Sequence, residues 1–203
     1  MSPVDIMAIV KDVALSGAAC VTGYVAIVGL GAWREELEGR ANFDAARQLA
    51  RSVYVLRDQM AHCRSSFITV QEFPEGYQGG LGNVTSKEEG DAWSHVYSNR
   101  REPVDNAVRE FDAASLEAEA LWGDGVKEKC TELRKCVESL HIAIDRFISD
   151  KYGGGKSFED QGFARKIKAE IWDMNDHDNE HSKRINAAIC GIESFLRPHL
   201  SRT

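Results

Sequence analysis

Val13 to Trp33 read VALSGAACVTGYVAIVGLGAW, an uncharged run bounded by Asp12 in front and Arg34 behind. At about 1.5 Å of rise per residue, a helix of that length covers roughly 30 Å, the hydrocarbon thickness of a bilayer. The favoured reading is a single transmembrane helix over 13–33. A short extracytoplasmic N-terminus, 1–12, precedes it, and a cytoplasmic helical-bundle domain, 34–203, follows. Two other readings compete. A secretory signal peptide wants a basic start, a short apolar run and a small-x-small cleavage site. Here Lys11 is the only early base, Asp5 and Asp12 outweigh it, and the run is long. A buried helix of a water-soluble core suits the modest greasiness of a run rich in Gly and Ala that also holds Ser16 and Thr22. Glycine is commoner in membrane helices than in soluble ones, which weakens that objection to a span.

Orientation follows from the flanks. Lys11 stands before the run; Arg34, Arg40, Arg47 and Arg51 come after it. Cytoplasmic flanks carry the Lys/Arg excess, which predicts that the short N-terminus lies outside and the large C-terminal part in the cytoplasm. Trp33, Arg34 and Arg40 then lie at the membrane interface. Tyr24 falls near mid-membrane, where its hydroxyl is expected to face a neighbouring helix. Ser16, Ala19, Gly23 and Ala26 form one small face, of the kind that lets helix backbones approach closely in lipid. The functional reading of that face is homo-oligomerisation through the membrane. The plain one is that a run this rich in small residues shows such a face by chance.

The formal net charge is −7, almost all of it after Trp33. An acidic domain argues against broad nucleic-acid binding, which needs a positive stripe. The five cysteines, at 20, 63, 130, 136 and 190, form no C-x-x-C pair. That pattern reads as reduced thiols in a cytoplasmic domain. Cys130 and Cys136 read as core or near-core residues of a helix.

Helical periodicity dominates and no alternating strand pattern is present. Leu37, Ala41, Ala45, Leu49, Val53, Leu56, Met60, Cys63 and Phe67 fall at steps of three and four, so the first helix is expected to continue from the span to about Ser66. A loop over 69–85 contains Pro74 and four glycines. Ser86 with Glu89 reads as a capping box opening the next helix. Pro103 predicts a kink or restart within it, and Gly123-Asp124-Gly125 a stop. The third helix carries Val126, Cys130, Leu133, Val137, Leu140, Ile144 and Phe147 at alternating steps of four and three. This is a heptad seam, either the core face of a bundle or a coiled coil; the bundle is favoured because neighbouring helices also need partners. Gly153-Gly154-Gly155 ends it. A shorter helix over about 158–172 and a last helix burying Ile185, Ile189, Ile192 and Leu196, with Pro198 in its final turn, complete an all-α antiparallel bundle.

Several motifs carry candidate chemistry. Gly155-Lys156-Ser157 resembles the end of a phosphate loop, but Asp150 stands where that pattern needs glycine, and a helix rather than a strand precedes it. His177 and His181, four apart among Asp176, Asp178 and Glu180, have the spacing of a weak metal pair. The same acids also suit a helix N-terminus. Arg57 and His62 match the R-x4–6-H pattern of all-helical bacterial ribonucleases of the HEPN group, in which histidine acts as acid or base and arginine holds phosphate. Asn83-Val84-Thr85 is a glycosylation acceptor that matters only on an outward-facing domain. Paired acids such as Glu35/Glu36, Glu88/Glu89 and Glu117/Glu119 read as solvated faces. No cofactor is expected.

The chain resembles a group of uncharacterised bacterial single-pass membrane proteins. The likeness rests on Trp33-Arg34-x-Glu36-Leu37-x-Gly39 after an N-terminal span, then Ala46-Arg47, Tyr54-x-Leu56-Arg57-Asp58 and Arg64-Ser65. It continues in Glu72-Phe73-Pro74-x-Gly76-Tyr77 and Glu117-Ala118-Glu119-Ala120-Leu121-Trp122. The resemblance implies topology and no chemistry. The resulting expectation is a non-enzymatic, membrane-anchored interaction or scaffold protein, with Phe73, Pro74 and Tyr77 as a partner-docking loop. The alternatives are a HEPN-like ribonuclease using Arg57 and His62, and a membrane effector acting through oligomerisation of the span.

Overall fold

The computed structural model describes residues 3–77, 84–155, 160–173 and 179–201; the side chains of 3–14, 16, 18–20 and 32 lie outside the description. The described residues form α1 (Pro3–Cys63), a 3-10 turn (Val70–Glu72), α2 (Ser86–Trp122), α3 (Asp124–Tyr152), α4 (Gln161–Ile171) and α5 (Glu180–Leu200). No strand is present among them, as the periodicity requires.

The chain divides into two units, Met1–Asp44 and Ala45–Thr203, and α1 contributes to both. In the first unit the described side chains are exposed almost throughout, including Val21, Tyr24, Val25, Ile27, Leu30 and Trp33. Its polar stretch is knitted by two ion pairs one helical turn apart, Arg34 to Glu38 at 3.0 Å and Arg40 to Glu36 at 2.5 Å. Such pairs support an exposed helix by a few tenths of a kcal/mol each. Among the described residues no helix is long and apolar enough to cross a membrane. The expected span over 13–33 is therefore no part of what the fold establishes. Ser16, Thr22, Tyr24 and the glycines dilute the run, and Ser16 and Ala19 of the small face lie outside the described side chains.

The second unit is a helical bundle built around α3, which packs against α2, α4 and α5. Every position of the heptad seam from Val126 to Phe147 is buried, so the seam is a bundle core face. Gly123, with φ 70°, is the one residue between α2 and α3 and turns the chain where a side chain would be strained. Pairs across the two helices then run in reverse order: Lys127 with Glu119, Arg134 with Asp112, Arg101 with Asp145, Lys151 with Glu89. The helices are antiparallel. The bundle part of α1 runs antiparallel to α5, with Tyr54 donating to Glu193 at 2.8 Å and Arg64 to Ser182 at 3.0 Å. Leu49, Val53, Leu56 and Met60 from α1 join Ile185, Ile189, Ile192 and Leu196 from α5 in the same core.

Four details differ from the sequence expectation. First, α1 stops at Cys63, because the Cys63 and Ser65 carbonyls turn to the Arg100 guanidinium instead of continuing the ladder. Second, the capping box uses Thr85 and Glu88, with Thr85 N–H donating to Glu88 at 2.9 Å and Glu88 N–H to Thr85 Oγ1 at 3.3 Å. Two overlapping boxes exist in the sequence, and Glu89 is drawn off to Lys151. Third, α2 passes through Pro103 as one helix; the carbonyl four residues back belongs to exposed Asn99, where water can serve it. Fourth, α4 starts only at Gln161, where Asp160 accepts from the N–H groups of Gly162 and Phe163.

Gly90 on α2 lies under the Tyr152 ring at the end of α3, and a Cβ there would overlap that ring. Gly90→Ala is expected to lower stability by about 1–3 kcal/mol, the usual range for overpacking. Urea denaturation checks this, and Tyr152→Ala in the same chain should recover most of the loss.

Candidate functional site

The residues with unusual environments gather where α1 ends. Two arginines there are almost wholly buried, Arg64 and Arg100. Burying a guanidinium is expensive unless each donor meets an acceptor. Arg64 finds two main-chain carbonyls, two side-chain oxygens and a nearby carboxylate. Its Nε donates to Glu170 O at 2.9 Å, and Nη2 to Ala169 O at 3.1 Å and Asn179 Oδ1 at 3.3 Å. Its Nη1 donates to Ser182 Oγ at 3.0 Å and lies 3.8 Å from the Asp173 carboxylate. The carbonyls belong to the last turn of α4, whose unpaired acceptors need donors. Asn179 completes the cluster. Its amide donates to Ala169 O at 2.8 Å, while its carbonyl oxygen accepts from Ser182 N–H at 3.1 Å and so caps α5. One buried cation thereby joins the ends of α1 and α4 to the start of α5. Burial pulls the Arg64 pKa down, and Asp173 offsets part of that pull.

Arg100, from α2, works on the other side of the same chain reversal. It takes the Glu72 carboxylate with both arms of its fork, at 2.6 and 3.0 Å. It also donates to Ser65 O at 2.6 Å and Phe67 O at 2.8 Å. The bond to Arg100 holds the Glu72 carboxyl below its ordinary pKa. Glu72 in turn accepts from Thr69 N–H at 2.9 Å, closing a small capping box around the 3-10 turn.

Beside this lies a chain of aromatic rings. Tyr77 stacks on Phe73 at 5.0 Å, and Phe73 meets Trp93 edge-on at 5.3 Å. Trp93 contacts Phe147 at 5.1 Å, and Phe147 contacts Trp172 at 5.5 Å. The Trp172 indole N–H donates to the Tyr97 hydroxyl at 3.0 Å. Burial pushes the Tyr97 phenol well above its usual range and the Cys63 thiol up to about 11. Both stay neutral, and that thiol is no nucleophile at neutral pH.

The residues singled out from sequence are dispersed. Arg57 is turned to its neighbour Asp58 at 2.9 Å and lies over the Tyr54 ring at 5.1 Å. His62 is exposed and stands about 140° further round the helix at roughly 100° per residue. Phe73, Pro74 and Tyr77 are half-buried, the two rings turned toward Trp93. His177, Lys156, Ser157 and Asn83 lie outside the described residues. His181 is 3 % exposed, and among the described residues neither ring nitrogen has a hydrogen-bond partner. Among the described residues no cluster of His, Cys, Asp or Glu has the spacing of a metal centre. Gly23 and Ala26 are exposed, with nothing within 4 Å of the position of a Cβ on Gly23.

Grooves open on the bundle among the described residues. One, of about 770 Å³, lies between α2 and α3 and is lined by Arg101, Asp105, Asp145 and Tyr152 among others. Arg101 is engaged by Asp145 across it. Another, of about 410 Å³, is more apolar, lies between α1 and α5, and is bridged by the Tyr54–Glu193 bond. No protein-family profile, curated protein or solved structure matches the chain.

Sequence reading missed both buried arginines and Asn179 as a joint. A signal existed for Arg100: it sits at a core position, in step with Val96, Tyr97 and Val104. Arg64 had none, since its partners lie more than a hundred residues away.

Burial, with Arg64 and Arg184 nearby, holds the His181 imidazole neutral and lowers its pKa to about 3. The unfolded chain therefore takes up the proton first. Stability is full above about pH 6.5 and falls as the pH drops from there toward 3, by up to about 1.4 kcal/mol per pH unit. Burial also lowers the His141 pKa, which adds a loss of the same sign. His181→Leu should flatten the slope measured by urea denaturation between pH 6.5 and 4.5, a window above the Glu72 titration.

Proposed function

We propose that the protein is a non-enzymatic, membrane-anchored interaction protein. The 13–33 helix sits in a bacterial inner membrane and the bundle lies in the cytoplasm. One observation carries this reading: an uncharged run, written without a break from Val13 to Trp33, folds as a helix whose described apolar side chains face solvent, Ile27 at 75 % exposure among them. Contiguous exposed apolar surface on this scale marks a lipid or protein contact. The core cluster of the bundle is drawn from Ala46 onward. The arginine-rich flank after it supports the cytoplasmic placement. Self-association through Gly23 and Ala26 is part of the proposal, as is the absence of a nucleic-acid partner, which the acidic balance supports.

Fractionation tests it. The full chain should sediment with membranes, resist alkaline carbonate and leave the pellet only in detergent. Val25→Lys with Ile27→Lys should move it to the supernatant. Cys190, an exposed thiol on α5, should label with an impermeant maleimide only after the inner membrane is opened. A carbonate-soluble wild-type chain overturns the anchor, and labelling in intact cells overturns the orientation.

A further inference from the structure

The short helix α4 is strongly two-sided. Ala164, Ile167 and Ile171, at steps of three and four, are buried against the bundle. The opposite face carries Arg165, Lys166 and Lys168, all exposed, and the residues between them are the uncharged Gln161, Gly162 and Ala169. Arg146 of α3 adds a fourth exposed cation beside them, its guanidinium 5.7 Å from the centre of the Phe163 ring on α4. Among the described residues none of the four is in an ion pair. Other cations of α3 behave differently: Lys127, Arg134, Lys135 and Lys151 each meet a carboxylate. The described acids at the two ends of α4 are already engaged. Asp160 caps the first turn, Glu170 accepts from Ser139 Oγ at 3.2 Å, and Asp173 lies 3.8 Å from Arg64. A chain of net charge −7 therefore sets four unmatched cations together on two packed helices.

Clustered like charges repel one another, and an anion laid over them relieves that repulsion. The rest of the face narrows the class of anion. Interfacial helices hold lipid by inserting an apolar face, and the apolar face of α4 is spent on the core. Single-stranded nucleic acid is held by stacking on exposed rings; Phe163, the aromatic residue of α4, is half-buried beside Arg146. An extended polyanion is also repelled by the rest of an acidic chain. We infer that the cationic face of α4 and α3 docks a short acidic segment of another protein, its Asp and Glu side chains set against Arg146, Arg165, Lys166 and Lys168. The inference rests on the bundle being an interaction module; it does not need the membrane anchor.

The test titrates the full chain, in a neutral detergent, into a fluorescein-labelled octaglutamate peptide. Anisotropy should rise to saturation. Lys166→Glu with Lys168→Glu should weaken binding about tenfold. Arg51→Glu with Lys87→Glu, the same charge change at exposed sites on α1 and α2, should weaken it less than about twofold. Both chains should keep the wild-type thermal midpoint. In cells, p-benzoylphenylalanine at 161 or 169 should yield a protein adduct that mass spectrometry places on a segment rich in Asp and Glu, and the Lys166→Glu, Lys168→Glu chain should lack it. No saturable binding, equal weakening by the two double variants, tighter binding of an eight-residue oligouridylate than of octaglutamate, or a crosslink to lipid, to nucleic acid or to another copy of the chain each overturns the inference. Carbonate solubility of the same chain would overturn the anchor alone.

Discussion

The bundle depends on keeping the Arg64 guanidinium out of water without leaving any donor idle. Three helices solve that problem jointly. The last turn of α4 lends carbonyls it cannot use itself, Asn179 lends an oxygen while capping α5, and Ser182 fills the remaining place. Removing one member strands the others in a dry site, which is why such clusters are all-or-none. The planar fork matters as much as the charge, since an ammonium cannot reach acceptors in several directions at once.

Arg100 applies the same chemistry to a different task. It stops a helix and shapes the chain that follows, holding the Ser65 and Phe67 carbonyls and the Glu72 carboxylate around a single 3-10 turn. The chemistry of this region is static. Burial holds the Tyr97 phenol and the Cys63 thiol neutral, and the two arginines are engaged by carbonyls, side-chain oxygens and the Glu72 carboxylate.

The all-α class was legible because apolar residues repeat every three to four positions through most of the chain, and the α3 seam appeared in the sequence as it does in the core. Gly123 and the glycines after Tyr152 marked true stops for a reason local to each residue. What local pattern could not reveal was competition. Ser86 and Thr85 are equivalent cap candidates until Lys151 takes Glu89, and Pro103 reads as a break until its face is known to be exposed. The arginine clusters were the least legible, because charge in a sequence reads as surface. Only partners brought from α4 and α5 make Arg64 an interior residue. His181 drew notice for its spacing to His177, yet what distinguishes it is burial with no hydrogen-bond partner among the described residues. Phe73 and Tyr77 stood out as loop aromatics, while the large apolar side chains that are exposed in that loop are Phe67 and Val70.

The reach of the Arg64 contacts has a consequence during synthesis. Its acceptors follow it by 105 to 118 residues. At about 5–20 residues per second, a ribosome needs roughly 5–25 s to deliver them. For that interval Leu49, Val53, Leu56 and Met60 have left the exit tunnel with no α5 to cover them, while α2 and α3 can already zip together through their one-residue corner. The emerging chain thus carries an uncovered greasy stripe on its oldest helix until the final twenty or so residues arrive, a natural target for holdase chaperones.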